Sequence, residues 1–197
     1  MNEINIKDNN AFIHFPNILR NHIKENYKEG HKEIVILCIG TDRCTGDSLG
    51  PLIGYKLQNK INKYKEIYIH GTLEEPVHAK NLNDTIEYIN EHYESPFIIA
   101  IDACLGSSDR IGCIKVSNGA LKPGAGVNKT LPSVGDINIL GIVNVSGFME
   151  FMVLQNTRLQ LIMKMSEFIS RGIDHALWTC TQKNQVQNNT LLKSHLH

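Results

Sequence analysis

Two aspartates stand where an α/β chain places its chemistry. Asp47 follows the apolar run Ile34–Ile39 and the turn Gly40-Thr41-Asp42-Arg43-Cys44-Thr45-Gly46, and precedes Ser48-Leu49-Gly50-Pro51. Asp102 directly follows Phe97-Ile98-Ile99-Ala100-Ile101. Both runs are short, continuous and apolar, as buried parallel strands are. In open α/β sheets ligands bind outside the carboxyl ends of the strands. Two carboxyls delivered to that rim share a proton, because mutual repulsion raises one pKa while the partner stays ionised. One then acts as base toward a water and the other, protonated, polarises a scissile carbonyl; the titration belongs to the pair. Each aspartate also has an ordinary structural role, Asp47 as a helix N-cap with Pro51 in the first turn, Asp102 as a turn residue ending its strand.

The elements that must position this pair alternate. The strand Ile34–Ile39 leads through a glycine-containing turn into a helix reaching about Asn59, then a strand Ile67–His70. Leu82, Ile86 and Ile89 give helical spacing over Asn81–Tyr93, and the strand Phe97–Ile101 follows. This order predicts right-handed crossovers and a mostly parallel sheet with helices on both faces. Ile111–Val116 and Ile137–Val145 read as further strands. Between them Asn118–Asp136 carries Gly119, Pro123, Gly124, Gly126, Pro132 and Gly135, a loop of the length that compact domains reserve for function. Phe148–Ser170 reads as the longest helix, with Phe148, Phe151, Met152, Leu159, Ile162, Met163 and Ile169 expected to pack on the sheet rather than to form a methionine-rich binding face. Residues 1–31 form a polar extension with a short helix, Asn17 its expected cap and Leu19, Ile23 and Tyr27 its docking face. Residues 32–178 form one domain, and 179–197 a polar tail expected to be disordered.

Bulk composition narrows the function classes. The 197 residues are 42% apolar and 20% charged, with 20 basic and 20 acidic side chains. That balance supplies no global field for nucleic acid or an anionic membrane, so neither is expected as a partner. No apolar run reaches the ~18 residues of a membrane span and no signal peptide is evident, so a cytoplasmic location is expected. The five cysteines, Cys38, Cys44, Cys104, Cys113 and Cys180, form no Cys-x-x-Cys pair, which argues against a disulfide framework or a zinc knuckle. Cys44 and Cys104 lie close enough in sequence to the aspartates to leave a reactive thiol as a minor alternative. His70 and His78 can approach the rim without forming a ligand pattern.

Gly46-Asp47-Ser48-Leu49 also spells the nucleophile block of GDSL-type esterases, with Asp174-His175 as the imaginable remainder of a triad. The context is poor, because five residues, Thr41–Thr45, intervene after the strand turn and Asp174 and His175 are adjacent.

Three ordered blocks carry a resemblance. Gly40–Pro51, then Ile99-Ala100-Ile101-Asp102-Ala103, then Pro123-Gly124-Ala125-Gly126-Val127-Asn128-Lys129 resemble the YyaC family of sporulation proteins. That family is similar to the spore germination protease, which begins degradation of small acid-soluble spore proteins, and more distantly to hydrogenase maturation endopeptidases. The resemblance spans about Ile34–Gly172. It implies a three-layer αβα fold of the maturation-protease and phosphorylase/hydrolase kind, and an aspartic-type endopeptidase site built on Asp47 and Asp102. It also implies a substrate-bordering loop with Gly124, Gly126, Asn128 and Lys129. Its expected partner is a protein or peptide substrate, small acid-soluble spore proteins included. Hydrogenase maturation enzymes add a later histidine to recognise nickel, and no histidine occurs between Asp102 and His175, so no metal and no cofactor are expected. The competing class is a non-catalytic module that holds a peptide in the same crevice.

Overall fold

The computed structural model describes residues 2–124 and 131–194, with side chains described through Thr181. Its centre is a six-stranded sheet in the order β1-β5-β6-β4-β2-β3. The strands are β1 (Glu3–Asn5), β2 (Glu33–Cys38), β3 (Ile67–His70), β4 (Pro96–Gly106), β5 (Cys113–Asn118) and β6 (Ile137–Val145). β3, β2, β4 and β6 are mutually parallel, and β5 and β1 close one edge antiparallel. The helices are α1 (Ala11–Asn26), α2 (Leu49–Ile61), α3 (Leu82–His92), α4 (Glu150–Gln155) and α5 (Leu159–Ser194). The α/β alternation read from the sequence is the architecture found.

Strand parity sorts the core into two layers, because successive side chains of a strand face opposite ways. Ile36, Cys38, Ile99, Ile101, Ile137 and Ile139 pack with α1, α2 and α5, whereas Val35, Leu37, Ile39 and Ala100 pack with Leu82 and Ile89 of α3. Asp102 has the parity of Ala100, so its carboxyl belongs to the α3 side of the sheet.

Several expectations are corrected. The N-terminal segment adds an unexpected strand, β1, which extends the sheet through Glu3–Asn5, whereas Leu19 and Ile23 dock as their spacing predicts, buried with Phe15 in the larger core layer. Asn17 lies inside α1 and donates to the Ile13 carbonyl at 2.8 Å instead of capping the helix, which starts after Asn10. The single long helix is two. Thr157 ends α4 by donating to the Val153 carbonyl at 3.0 Å while accepting from Asn144 Nδ2 at 3.2 Å, and α5 starts afresh at Leu159. Phe148, at 91% exposure, and the largely exposed Phe151, Met152, Leu159 and Met163 are therefore not sheet-facing, while Leu154, Ile162, Met165 and Ile169 are. The turn before α4, with Gly147 at φ 153° and Met149 at φ 59°, rotates the Phe148 end away from the sheet. α5 is helical backbone through Ser194, where a disordered tail was expected. Among the described residues no helix is long and apolar enough to cross a membrane.

Candidate active site

The site begins where β2 gives out. β2 pairs with β4 only as far as Cys38 opposite Ile101, and one further amide, Ile39 N–H, reaches the Ile101 carbonyl at 2.7 Å. β4 continues past that point on its other side, with Asp102 opposite Leu140 of β6. Asp102 is thus not a turn residue that ends a strand. It sits inside a strand that outruns its neighbour, and the departure of β2 leaves the crevice into which the Asp47 turn folds.

That turn is held by close backbone contact. Gly40 has φ 142°, and its amide donates to the Val77 carbonyl at 2.8 Å. Thr41 N–H donates to the Asp47 carbonyl at 3.1 Å, closing the loop on itself. Asp47 lies in a single 3₁₀ turn, Gly46–Ser48, that runs directly into α2. Ser48 occupies the cap position of α2 without a side-chain cap bond, so the capping role imagined for Asp47 is absent too. α4 braces the turn from outside: a Cβ at Gly46 would meet Leu154 Cδ2 at 2.8 Å and Thr157 Oγ1 at 2.9 Å, so only glycine admits this approach.

Electrostatics link the two carboxyls. Burial pushes the Asp47 carboxyl up to about 6, against the opposing pull of the Thr41 amide and the His78 imidazole. Asp102 is 5% exposed, and burial followed by the Asp47 charge holds its carboxyl well above the usual carboxylate range. The Ala103 amide, which donates to Asp102 Oδ1 at 2.8 Å, and the Gly124 amide work in the opposite direction. Burial thus favours the protonated form of both carboxyls, and at Asp102 the Asp47 charge adds to that preference.

Of the loop residues expected to border substrate, Gly124 is placed against Asp102, its φ of 113° and the Leu121–Val134 bridge below it fixing the approach. Gly126, Asn128 and Lys129 lie outside the described residues. The thiols do not join the chemistry: burial pushes Cys44 up and Cys104 up to about 11, so neither is a thiolate at neutral pH. The esterase triad is taken apart. Ser48 is 6% exposed and donates to the Thr45 carbonyl at 2.7 Å, while Asp174 pairs with Lys63 at 2.7 Å, beyond the far end of α2. α2 spans about 20 Å at ~1.5 Å per residue, so Asp174 and His175 cannot serve Ser48.

Of the two histidines expected near the rim, His78 reaches the aspartates, a link to Asp47 that the sequence did not reveal. The Ile39–Val77 bridge clips the segment after β3 alongside the end of β2, which places the His78 imidazole near Asp47. Its backbone amide donates to Asn81 Oδ1 at 2.8 Å, and its side-chain Nδ1 is buried without a hydrogen-bond partner. His70 goes elsewhere, accepting or donating at Tyr93 Oη, 2.9 Å away, in a cluster with Tyr88. Among the described residues no group of three His, Cys, Asp or Glu side chains is arranged to hold a metal ion. Since His78 lowers the Asp47 carboxyl, His78→Gln is expected to shift the acid limb of any Asp47-dependent pH profile to higher pH. An unmoved limb would remove His78 from the site.

The segment that carries Asp47, His78, Asp102 and Gly124 is matched as a whole, residues 3–172, by one family model. The chain belongs to the DUF1256 family. The description that family carries is "Protein of unknown function". A relative in Bacillus subtilis (strain 168), "Uncharacterized protein YyaC", is 50% identical over 166 residues, covering 83% of this chain and 80% of its own. Among solved structures, the NiFe hydrogenase maturation protease HycI from Thermococcus kodakarensis KOD1 superposes with a TM-score of 0.53 at 17% identity, over 81% of this chain and 98% of that one. The fold is therefore the three-layer αβα fold of that protease, with a mixed sheet and helices on both sides.

Proposed function

We propose that this protein is an aspartic-type endopeptidase of the spore-forming cell, in which Asp47 and Asp102 activate a water against a peptide bond. The observation that carries the reading is the coupled, buried pair, one carboxyl pushed up to about 6 and the other held well above the usual range. The likeness in fold to a maturation protease supports it. In the proposed step the Asp47 carboxylate takes a proton from water as its oxygen bonds to the scissile carbon, and Asp102 passes its proton to the carbonyl oxygen. On collapse of the tetrahedral diol the C–N bond breaks, Asp47 gives its proton to the departing amine, and a diol hydroxyl returns a proton to Asp102. Both carboxyls end as they began.

Small acid-soluble spore proteins are the proposed substrates, supported by the resemblance of the Asp47, Asp102 and Gly124 blocks to those of the germination protease. The exposed Phe151 and Met152 sit on the helix that braces the Asp47 turn, a surface suited to an extended polypeptide crossing the crevice. Incubation of the purified protein with such a substrate, followed by mass spectrometry, should yield discrete fragments. The rate should rise with pH through about 6, as Asp47 ionises. Tight binding of the substrate without fragments at any pH would replace this proposal with a peptide-holding module.

A further inference from the structure

We propose that the protein binds a nucleotide at a second site, on the seam between the last turn of α2 and the middle of α5. Its phosphates would lie on Lys60, Lys63 and Arg171, and its base against the exposed ring of Trp178. A cavity of about 280 Å³ opens there, lined by Lys60, Lys63, Arg171, Asp174, His175 and Trp178. That size is near the lower end of small-ligand pockets.

The sequence periodicity builds this site from two helices. Lys60 lies in the last turn of α2 and Lys63 in the turn just after it, and Arg171, His175 and Trp178 recur at i, i+4 and i+7 along one face of α5. The local charge departs from the neutral balance of the chain. Among the described residues, Lys56, Lys60, Lys63 and Arg171 gather around the carboxylates of Glu167 and Asp174. Each of those is already engaged: Glu167 accepts from Lys56 at 2.9 Å, and Asp174 accepts from Lys63 at 2.7 Å and from Tyr64 Oη at 3.1 Å. The positive groups are also held in place. The Arg171 guanidinium lies 5.1 Å over the Phe12 ring, and Lys63 Nζ lies 5.1 Å over the Tyr64 ring. Positioned cations of this kind suit several negative oxygens on one small ligand, with Arg supplying a fork of donors and Lys a point charge.

Trp178 decides between a bare anion and a nucleotide. It is 49% exposed, its ring lies 6.3 Å from the His175 ring, and it lines the cavity. Stacking on an aromatic face is the sequence-tolerant way proteins hold a base. The site lies about 20 Å along α2 from the Asp47 turn, so it stands or falls independently of the peptidase reading.

Trp178 is the single tryptophan of the chain, so its fluorescence reads the site directly. Titration of the full chain with ATP should quench that fluorescence saturably, with calorimetry giving the same affinity, and raised salt should weaken binding. Lys60→Ala combined with Lys63→Ala, and separately Arg171→Gln, should each weaken ATP about tenfold or more. Trp178→Leu, followed by calorimetry, should weaken ATP but leave tripolyphosphate unaffected. All of these positions are at the surface, and a thermal unfolding scan confirms that each variant folds. Absence of saturable binding to the wild-type chain would overturn the proposal. Tripolyphosphate binding as tightly as ATP would overturn the nucleotide assignment.

Discussion

Asp47→Asn should abolish cleavage and, at neutral pH, make the protein more stable. Both effects follow from one cause. Burial raises the Asp47 carboxyl to about 6 in the folded chain, against about 3.9 for an aspartate in an unfolded one. The folded state therefore holds this proton more tightly. The associated stability is fully present below about pH 4 and is lost as pH rises through about 6, where the folded group also ionises. At pH 7 the ionised carboxylate works against folding by on the order of 2 kcal/mol, discounted for the part of the group that faces solvent. An amide in its place removes that term, so chemical denaturation should show Asp47→Asn gaining stability at pH 7 and little at pH 4. Its activity should fall by about a thousandfold or more, because an amide cannot accept a proton from water. Asp102→Asn separates the two effects. Burial and the Asp47 charge favour the protonated form of Asp102, so a neutral amide there should cost little stability, while it cannot exchange a proton with the carbonyl oxygen and cleavage should again stop. A cleaving Asp47→Asn protein sinks the mechanism. A variant that loses stability at pH 7 would mean that Asp47 is structural, whatever its activity.

The sequence made the sheet and the aspartate pair readable for a local reason. Ile34–Ile39 and Phe97–Ile101 are continuous apolar runs because both faces of a parallel sheet are covered, and their alternate residues divide cleanly between the α3 layer and the α1, α2 and α5 layer. Three-residue β1 carries no such signal. Glu3-Ile4-Asn5 is one apolar residue between two polar ones, and it becomes a strand only because β5 offers it an unpaired edge. The break between α4 and α5 was hidden likewise, since Asn144, which accompanies Thr157 in ending α4, comes from a different element. With that break unseen, Phe148, Phe151 and Met152 read as core; in the fold they face solvent. His78 was expected near the rim but not beside Asp47, because that closeness depends on the Ile39–Val77 bridge, a contact between segments nearly forty residues apart in the chain. The only local hint was a histidine soon after a strand, at the same end of the sheet as both aspartates.

The geometry of the pair rests on glycines as much as on carboxyls, which makes Gly40→Ala the second large effect. Gly40 joins the end of β2 to the Asp47 turn at φ 142°, a conformation that L side chains rarely adopt. A Cβ built there would lie 2.0 Å from the Asp47 carbonyl oxygen and 3.0 Å from Pro51 Cδ. The obstruction on the Asp47 side is backbone, so no rotamer change relieves it. The turn must move outward, carrying Asp47 away from Asp102 and weakening the Thr41 amide bond that closes it. Strain and lost contacts together should cost about 3 kcal/mol in urea unfolding. Displacement of the carboxylate by about 1 Å should lower kcat by about a hundredfold. Gly30→Ala is the matching control, because a Cβ at Gly30 meets nothing within 4 Å. The two losses should also be separable. Adding back stability by a substitution remote from the Asp47 turn should restore the unfolding midpoint of Gly40→Ala without restoring cleavage. If Gly40→Ala unfolds like the wild type and cleaves at the wild-type rate, the turn is not held by the contact described, and the Asp47 position it defines is wrong.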